Sequence, residues 1–114
     1  MKIQVNTDSN IQGREALAAQ VTTIVEHALK RFQEHVTRVE VHLSDQNGDK
    51  SGQQDKRCVM EARLEGRPPV AASDEAATTA QAVRGAADKL SGLIDSQLGR
   101  VASSERSPLK PEVE

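Results

Sequence analysis

Three segments of the chain alternate between apolar and polar residues, which is the two-residue period of a half-buried β-strand. The first lies near residues 1–6, where Ile3 and Val5 alternate with Lys2 and Gln4. In the second the apolar positions are Val39, Val41 and Leu43, and in the third they are Cys58, Met60, Ala62 and Leu64. These patterns predict three strands that each turn one face toward a core.

Two longer segments carry the period of an amphipathic helix. Helix one is predicted over residues 13–34 and helix two over residues 74–102. Ser73 is a natural N-cap for helix two, and Asp74 and Glu75 then place negative charge in its first turn, where the helix dipole favours it. The predicted apolar stripes are Leu17, Val21, Ile24, Ala28 and Phe32 on helix one, and Ala76, Ala80, Val83, Ala87, Leu90, Ile94, Leu98 and Val101 on helix two.

The order of the predicted elements is β-α-β-β-β-α. Pro68 and Pro69 precede a short apolar run at residues 70–72, which predicts a fourth strand at an edge of the sheet, where prolines are tolerated. The strand-helix-strand start favours a crossover, and the short connections between strands two, three and four favour an antiparallel meander. The sequence therefore predicts an α+β domain over residues 1–102, with two helices packed on one face of a four-stranded mixed sheet. Residues 103–114 contain two prolines and few apolar residues, so we expect them to form a disordered polar tail.

Composition narrows the classes of function. The chain has one Phe and no Trp or Tyr, which excludes RNA binders that stack bases on several aromatic rings. A net charge of -2 at pH 7 gives no bulk attraction to nucleic acid or anionic lipid. The chain opens without the apolar core of a secretory signal, and no apolar run approaches the roughly 18 residues of a membrane span. We therefore expect a cytoplasmic protein.

Residues with catalytic or metal-binding chemistry are sparse. His27, His35 and His42 form no recognised metal spacing with one another or with a carboxylate. Cys58 has no partner cysteine, and its strand position indicates a buried structural thiol. No nucleophile elbow or glycine-rich phosphate loop is present. We expect no enzyme activity, no metal site, no cofactor and no small-molecule substrate.

Helix two contains three glycines, which a helix interior disfavours. Gly85, Gly92 and Gly99 fall close together on a helical projection, roughly opposite the apolar stripe. Each costs about 0.5–1 kcal/mol relative to alanine. Either the bare backbone allows a partner or a second copy to approach closely, or the glycines lie on an ordinary solvated face.

Basic residues flank this glycine face. Arg84, Lys89 and Arg100 lie on helix two, and Lys30 and Arg31 lie late on helix one. If the helices are neighbours, these five cations form a broken strip that could contact phosphates. The alternative is a solvated surface of mixed charge, which is favoured by Asp88 and Asp95 on helix two and by Glu15 and Glu26 on helix one.

Three local strings, in order, are MKIQVNTDSN, ALKRFQEHVTRVEVHLS and AVRGAADKL. Together with the order of elements, they resemble the ribosome hibernation promoting factor family, also called ribosome-associated inhibitor or protein Y proteins. The resemblance covers roughly residues 1–102. It implies a domain shaped like double-stranded RNA-binding domains that occupies the mRNA and tRNA channel of the small ribosomal subunit. Such proteins keep idle ribosomes inactive in stationary phase or stress, without chemistry.

The resemblance also implies which residues contact ribosomal RNA. Arg31 matches a basic site before the aromatic residue at the end of helix one, Lys89 matches the lysine of the "DKL" pattern, and Arg100 falls where the end of helix two is usually basic. The predicted RNA-binding set is therefore Lys30, Arg31, Arg84, Lys89 and Arg100. The alternative function is a protein-interaction module of the same fold that associates through helix two, either with a partner or as a weak homo-oligomer.

Overall fold

The computed structural model describes residues 1–7, 14–45 and 56–106, with side chains described for residues 1–7, 15–45 and 56–99. The connection between the second and third predicted strands, at residues 46–55, and residues 107–114 of the predicted tail lie outside the described residues. The elements are β1 (Lys2–Thr7), α1 (Arg14–Ala28), a 3-10 helix (Lys30–Phe32), β2 (Val36–Asp45), β3 (Lys56–Leu64), β4 (Val70–Ala76) and α2 (Thr79–Arg106). This confirms the predicted β-α-β-β-β-α order.

The four strands form one mixed sheet in the order β1-β2-β3-β4. β1 pairs with β2 in parallel, and β2, β3 and β4 pair as an antiparallel meander. Val41 lies opposite Met60, and Leu43 lies opposite Cys58. These residues are fully or almost fully buried, so the alternating apolar positions of the two central strands form the floor of the core.

Both helices pack on the same face of this sheet and share its core. The helices cover the apolar floor because their own buried positions recur on one side. The buried residues of the helical layer are Val21, Val25, Leu29 and Phe32 from α1 and the 3-10 helix, and Ala82, Val83, Ala86, Ala87, Leu90 and Ile94 from α2. The two-layer α+β architecture predicted from the sequence is confirmed.

Helix one is shorter than predicted. The α-helix ends at Ala28, and the Leu29 backbone has φ -109° and ψ 13°, outside the helical region. The Phe32 N–H then donates to the Leu29 carbonyl at 2.9 Å, a three-residue bond that tightens the chain into the 3-10 helix. The buried stripe runs through Val25 and Leu29, whereas the predicted positions Ile24 and Ala28 are only partly buried.

Helix two begins later than predicted, and the assignment of Ser73 as its N-cap is wrong. Ser73, Asp74 and Glu75 lie in β4, where they pair with Val59, Cys58 and Arg57 of β3. The ladder to β3 satisfies backbone groups that a helix start would leave without partners, and this tertiary pairing overrides the local capping signal. The cap is provided further along the chain, where the Gln81 N–H donates to the Thr78 hydroxyl at 3.2 Å.

Gly85 lies where α2 closely approaches β4. A Cβ atom at position 85 would overlap the carboxylate of Asp74, whereas a Cβ at Gly92 or Gly99 would meet no atom within 4 Å. The three glycines therefore do not share one open face. The close approach that a bare backbone allows is made, at Gly85, by another part of the same chain.

Alanine substitutions at two of these glycines should change stability in opposite directions. Gly92→Ala should raise the free energy of unfolding by about 0.5–1 kcal/mol, because alanine is the better helix former. Gly85→Ala should lower it by about 1–3 kcal/mol, because overlap with Asp74 outweighs the same gain. Urea denaturation of the two variants measures both effects. Equal stabilisation by the two variants would show that Asp74 moves aside without cost.

Cys58 is fully buried on the core face of β3, as the strand pattern predicted. Burial and, to a smaller extent, the charge of Asp74 raise the pKa of its thiol to about 12 from an ordinary value of 9.0. The thiolate, which is the reactive form, is therefore strongly disfavoured at neutral pH. This supports the interpretation of Cys58 as a structural core residue.

Candidate functional site

The fold brings the two sets of predicted basic residues to the helical layer. Lys30 and Arg31 lie in the 3-10 helix that follows α1, and Arg84 and Lys89 lie in α2. An open groove of about 390 Å³ separates α1 from α2 and has Arg84 on its wall. The side chain of Arg100 lies outside the described residues, so its place in this group stays a prediction.

Lys30 and Arg84 are the basic residues of this group whose charge is not neutralised within the described part of the chain. Both side chains are exposed. Neither forms an ion pair with another described residue, whereas Arg31 and Lys89 do. An exposed, unpaired cation can approach a phosphate without first giving up an intramolecular contact. Lys30 and Arg84 are therefore the strongest candidates for contact with a polyanion.

Arg31 forms an ion pair with α2. Its Nη1 atom lies 3.6 Å from Oδ1 of Asp95, and the two side chains are 62% and 60% exposed. The guanidinium carbon also lies 4.4 Å from the centre of the Phe32 ring, a cation-π geometry. The basic residue predicted from the end of helix one is thus present at the surface, with a carboxylate beside it.

Lys89 is held more firmly than Arg31. Its ammonium group donates to the Ser73 carbonyl and to Oδ1 of Asp74, both at 3.1 Å. Asp74 is 29% exposed and lies against Gly85. These contacts tie α2 to the edge strand β4. Two of the predicted RNA contacts, at Arg31 and Lys89, are therefore partly neutralised by carboxylates of the same chain.

Acidic side chains are interspersed with the cations on this layer. Asp88 lines the groove beside Arg84, and Glu26 is exposed on α1. The geometry thus combines both interpretations left open by the sequence, since free cations are present on a surface of mixed charge. Exposed cations give a surface a local positive potential even where the whole molecule carries a slight negative charge, as this chain does with a net charge of -2.

A second group of cations lies on the sheet face away from the helices. Lys2, Arg38 and Arg63 are directly opposite one another on β1, β2 and β3. Arg38 donates to Gln4, and its Nε atom lies 3.1 Å from Oε2 of Glu40. The alternating pattern placed these residues on polar strand faces, but their alignment depends on the strand register, which the sequence alone did not reveal.

Metal-binding clusters, deep cavities and membrane-spanning helices would indicate other functions for the described residues. No cluster of three or more His, Cys, Asp or Glu side chains within them could hold a metal ion. The grooves over this part of the molecule are open and shallow, and no helix among the described residues is long and apolar enough to cross a membrane. The exposed cations of the helical layer are the described groups best suited to electrostatic contact with an anion.

Comparison with known proteins identifies similar sequences and folds. Residues 3–102 match the family model described as sigma 54 modulation protein / S30EA ribosomal protein. The N-terminal domain of Thermus thermophilus Protein Y has a similar structure, with a TM-score of 0.68 and 21% identity, over 85% of this chain and 99% of that chain. A ribosomal subunit interface protein from Coxiella burnetii is also similar, with a TM-score of 0.60 and 16% identity, over 89% and 97% of the two chains. No curated protein sequence gives a significant match.

Proposed function

The chain belongs to the sigma 54 modulation protein / S30EA ribosomal protein family, and from this we propose that it binds the mRNA and tRNA channel of the small ribosomal subunit and keeps idle ribosomes inactive. The membership agrees with the resemblance to ribosome hibernation factors. The family model spans almost the whole predicted domain, and this match is the observation that carries the proposal. In this role the protein acts in the cytoplasm by occupying a site, without catalysing a reaction.

The helical layer supports contact with ribosomal RNA. Phosphate contacts from lysine and arginine need no aromatic platform, so the single Phe of the chain is compatible with this mode of binding. Phe32 is a core residue. We assign phosphate contact to the exposed cations Lys30 and Arg84, and also to Arg31 and Lys89, which form ion pairs with carboxylates of the same chain.

The mixed charge of the layer implies binding whose affinity depends only moderately on salt concentration, because few of its cations are free. Each neutralised phosphate makes the logarithm of the affinity fall by about 0.7–0.9 per unit of log salt concentration, depending on the nucleic acid. Two free cations give a shallow slope. We therefore expect binding to be clear at low salt and to be weakened, rather than abolished, at physiological salt.

Sedimentation with purified small ribosomal subunits tests the proposal. The full chain should travel with the subunits through a sucrose cushion at low salt, and prior loading of the subunits with mRNA and tRNA should prevent this, because the same channel is then occupied. A chain that stays at the top at low salt would contradict ribosome binding. A chain that still sediments with loaded subunits would place its site outside the channel.

A further inference from the structure

The guanidinium of Arg31 has two neighbours of different kinds. Asp95 of α2 offers a carboxylate at 3.6 Å, and the ring of Phe32 lies under the guanidinium at 4.4 Å from its centre. Phe32 is 4% exposed and belongs to the core, so its ring is a fixed support. If the Asp95 contact opens, the guanidinium can keep its support on the ring and turn toward a ligand.

The ion pair itself is suited to opening. Both side chains are more than half exposed, and exposed pairs contribute little to stability because water and salt screen them. Asp95 forms no other hydrogen bond or ion pair with a described residue. Thus few protein contacts oppose its exchange for another anion.

The pair between Lys89 and Asp74 provides the contrast. Lys89 has a second acceptor in the Ser73 carbonyl, and Asp74 is wedged against Gly85. Releasing Lys89 would break two hydrogen bonds and leave Asp74 without its cation. The pair between Lys89 and Asp74 holds α2 against β4. In the pair between Arg31 and Asp95, by contrast, another anion can replace the carboxylate.

We propose that Asp95 is an internal competitor for the phosphate-binding side of Arg31, so that a phosphate gains this contact only by displacing the Asp95 carboxylate. The inference rests on the proposed function, since ribosomal RNA supplies the phosphate. It makes Asp95 a residue that sets affinity without itself contacting the RNA. The carboxylate lowers affinity in two ways, by occupying the guanidinium and by repelling the incoming phosphate.

Asp95→Asn is the direct test, because it removes the charge and keeps the size of the side chain. The dissociation constant for purified small ribosomal subunits, measured by sedimentation at several salt concentrations, should fall roughly two- to fivefold at low salt, as expected for loss of an exposed competing pair. The salt dependence should steepen by up to about one phosphate contact. Glu61→Gln on the open sheet face is the matched control, since it makes the same change in net charge and should leave affinity nearly unchanged.

A double-mutant cycle separates competition from general charge. In an Arg31→Gln background, Asp95→Asn should lose most of its effect, because no guanidinium is left to release. An equal gain in both backgrounds, or an equal gain from Glu61→Gln, would overturn the proposal.

A readout without ribosomes distinguishes the failure of this inference from that of the proposed function. On a heparin column, Asp95→Asn should elute at higher salt than the unchanged chain and the Glu61→Gln control. If the unchanged chain fails to bind ribosomes but this shift is seen, the ribosome proposal fails and the competition stands. Elution of all three proteins at the same salt concentration would overturn the competition itself.

Discussion

Reversing the charges of Lys30 and Arg84 together should reduce affinity for small ribosomal subunits by about 100-fold at low salt. Each exposed contact between a cation and a phosphate is worth about 1–1.5 kcal/mol here, and every 1.4 kcal/mol is a tenfold change. We expect the largest effect at these two residues because neither forms an ion pair with another described residue. Measuring the dissociation constant of Lys30→Glu/Arg84→Glu at several salt concentrations checks it, and the dependence on salt should also become shallower.

A matched pair on the other face of the protein provides the control. Lys2 and Arg63 lie opposite Arg38 on the open sheet face and form no ion pair with a described residue. Lys2→Glu/Arg63→Glu changes the net charge equally, so it should affect affinity only through weak long-range repulsion. If the control pair causes the larger loss, the ribosome contacts the sheet and our assignment of the helical layer is wrong.

Leu90→Ala should lower the free energy of unfolding by about 2–5 kcal/mol, the range for removing a leucine side chain from a packed core. Leu90 lies on α2, is fully buried and belongs to the core that the helices share with the sheet. A domain of this size has about 5–15 kcal/mol of stability in total. Urea denaturation should therefore show a much lower midpoint, because the loss is a large fraction of the total stability.

Leu93 on the same helix is the control for this effect. It is 43% exposed, so Leu93→Ala removes the same atoms from a partly solvated site and should change the free energy of unfolding by less than about 1 kcal/mol. If both variants lower the free energy of unfolding by similar amounts, α2 does not pack against the core through the face that contains Leu90.

The architecture was predictable because it depends on hydrophobic period. The alternation at Val39, Val41 and Leu43 and the helical spacing at Leu90 and Ile94 each point one face of an element toward a shared core. Chain order and loop length then restrict how such elements can pack. The fold therefore follows from information that is local along the chain.

The start of helix two could not be predicted from the sequence. Local capping signals and helix propensity favoured an early start, whereas pairing with the distant strand β3 holds the same residues in a strand. Ser73, Asp74 and Glu75 suit a helix start, and the alanines around them favour a helix more than a strand. Their ladder to β3 depends on residues more than ten positions away. A similar tertiary effect ends helix one at Ala28, where Leu29 leaves helical geometry and Phe32 enters the core.

The sequence identified the basic residues of the candidate site, but it did not show which of them form ion pairs with carboxylates. Lys30, Arg31, Arg84 and Lys89 do lie in the helical layer. Sequence spacing could not show that Asp95 lies beside Arg31, or that Lys89 reaches back to β4, because both pairs join separate elements. Which cations are free is a property of tertiary contacts, and this decides how strongly the surface attracts phosphates.

The parallel pairing of β1 with β2 differs from the other strand pairings in the length of chain that separates the two strands. β2, β3 and β4 join neighbours along the chain, whereas β1 reaches β2 only after α1 has crossed the sheet. Closing that longer loop costs more chain entropy, and Ile3 and Val5 are only partly buried in return. We therefore predict that the meander and α2 form before the N-terminal strand docks, and that transient openings of the native state begin at that strand.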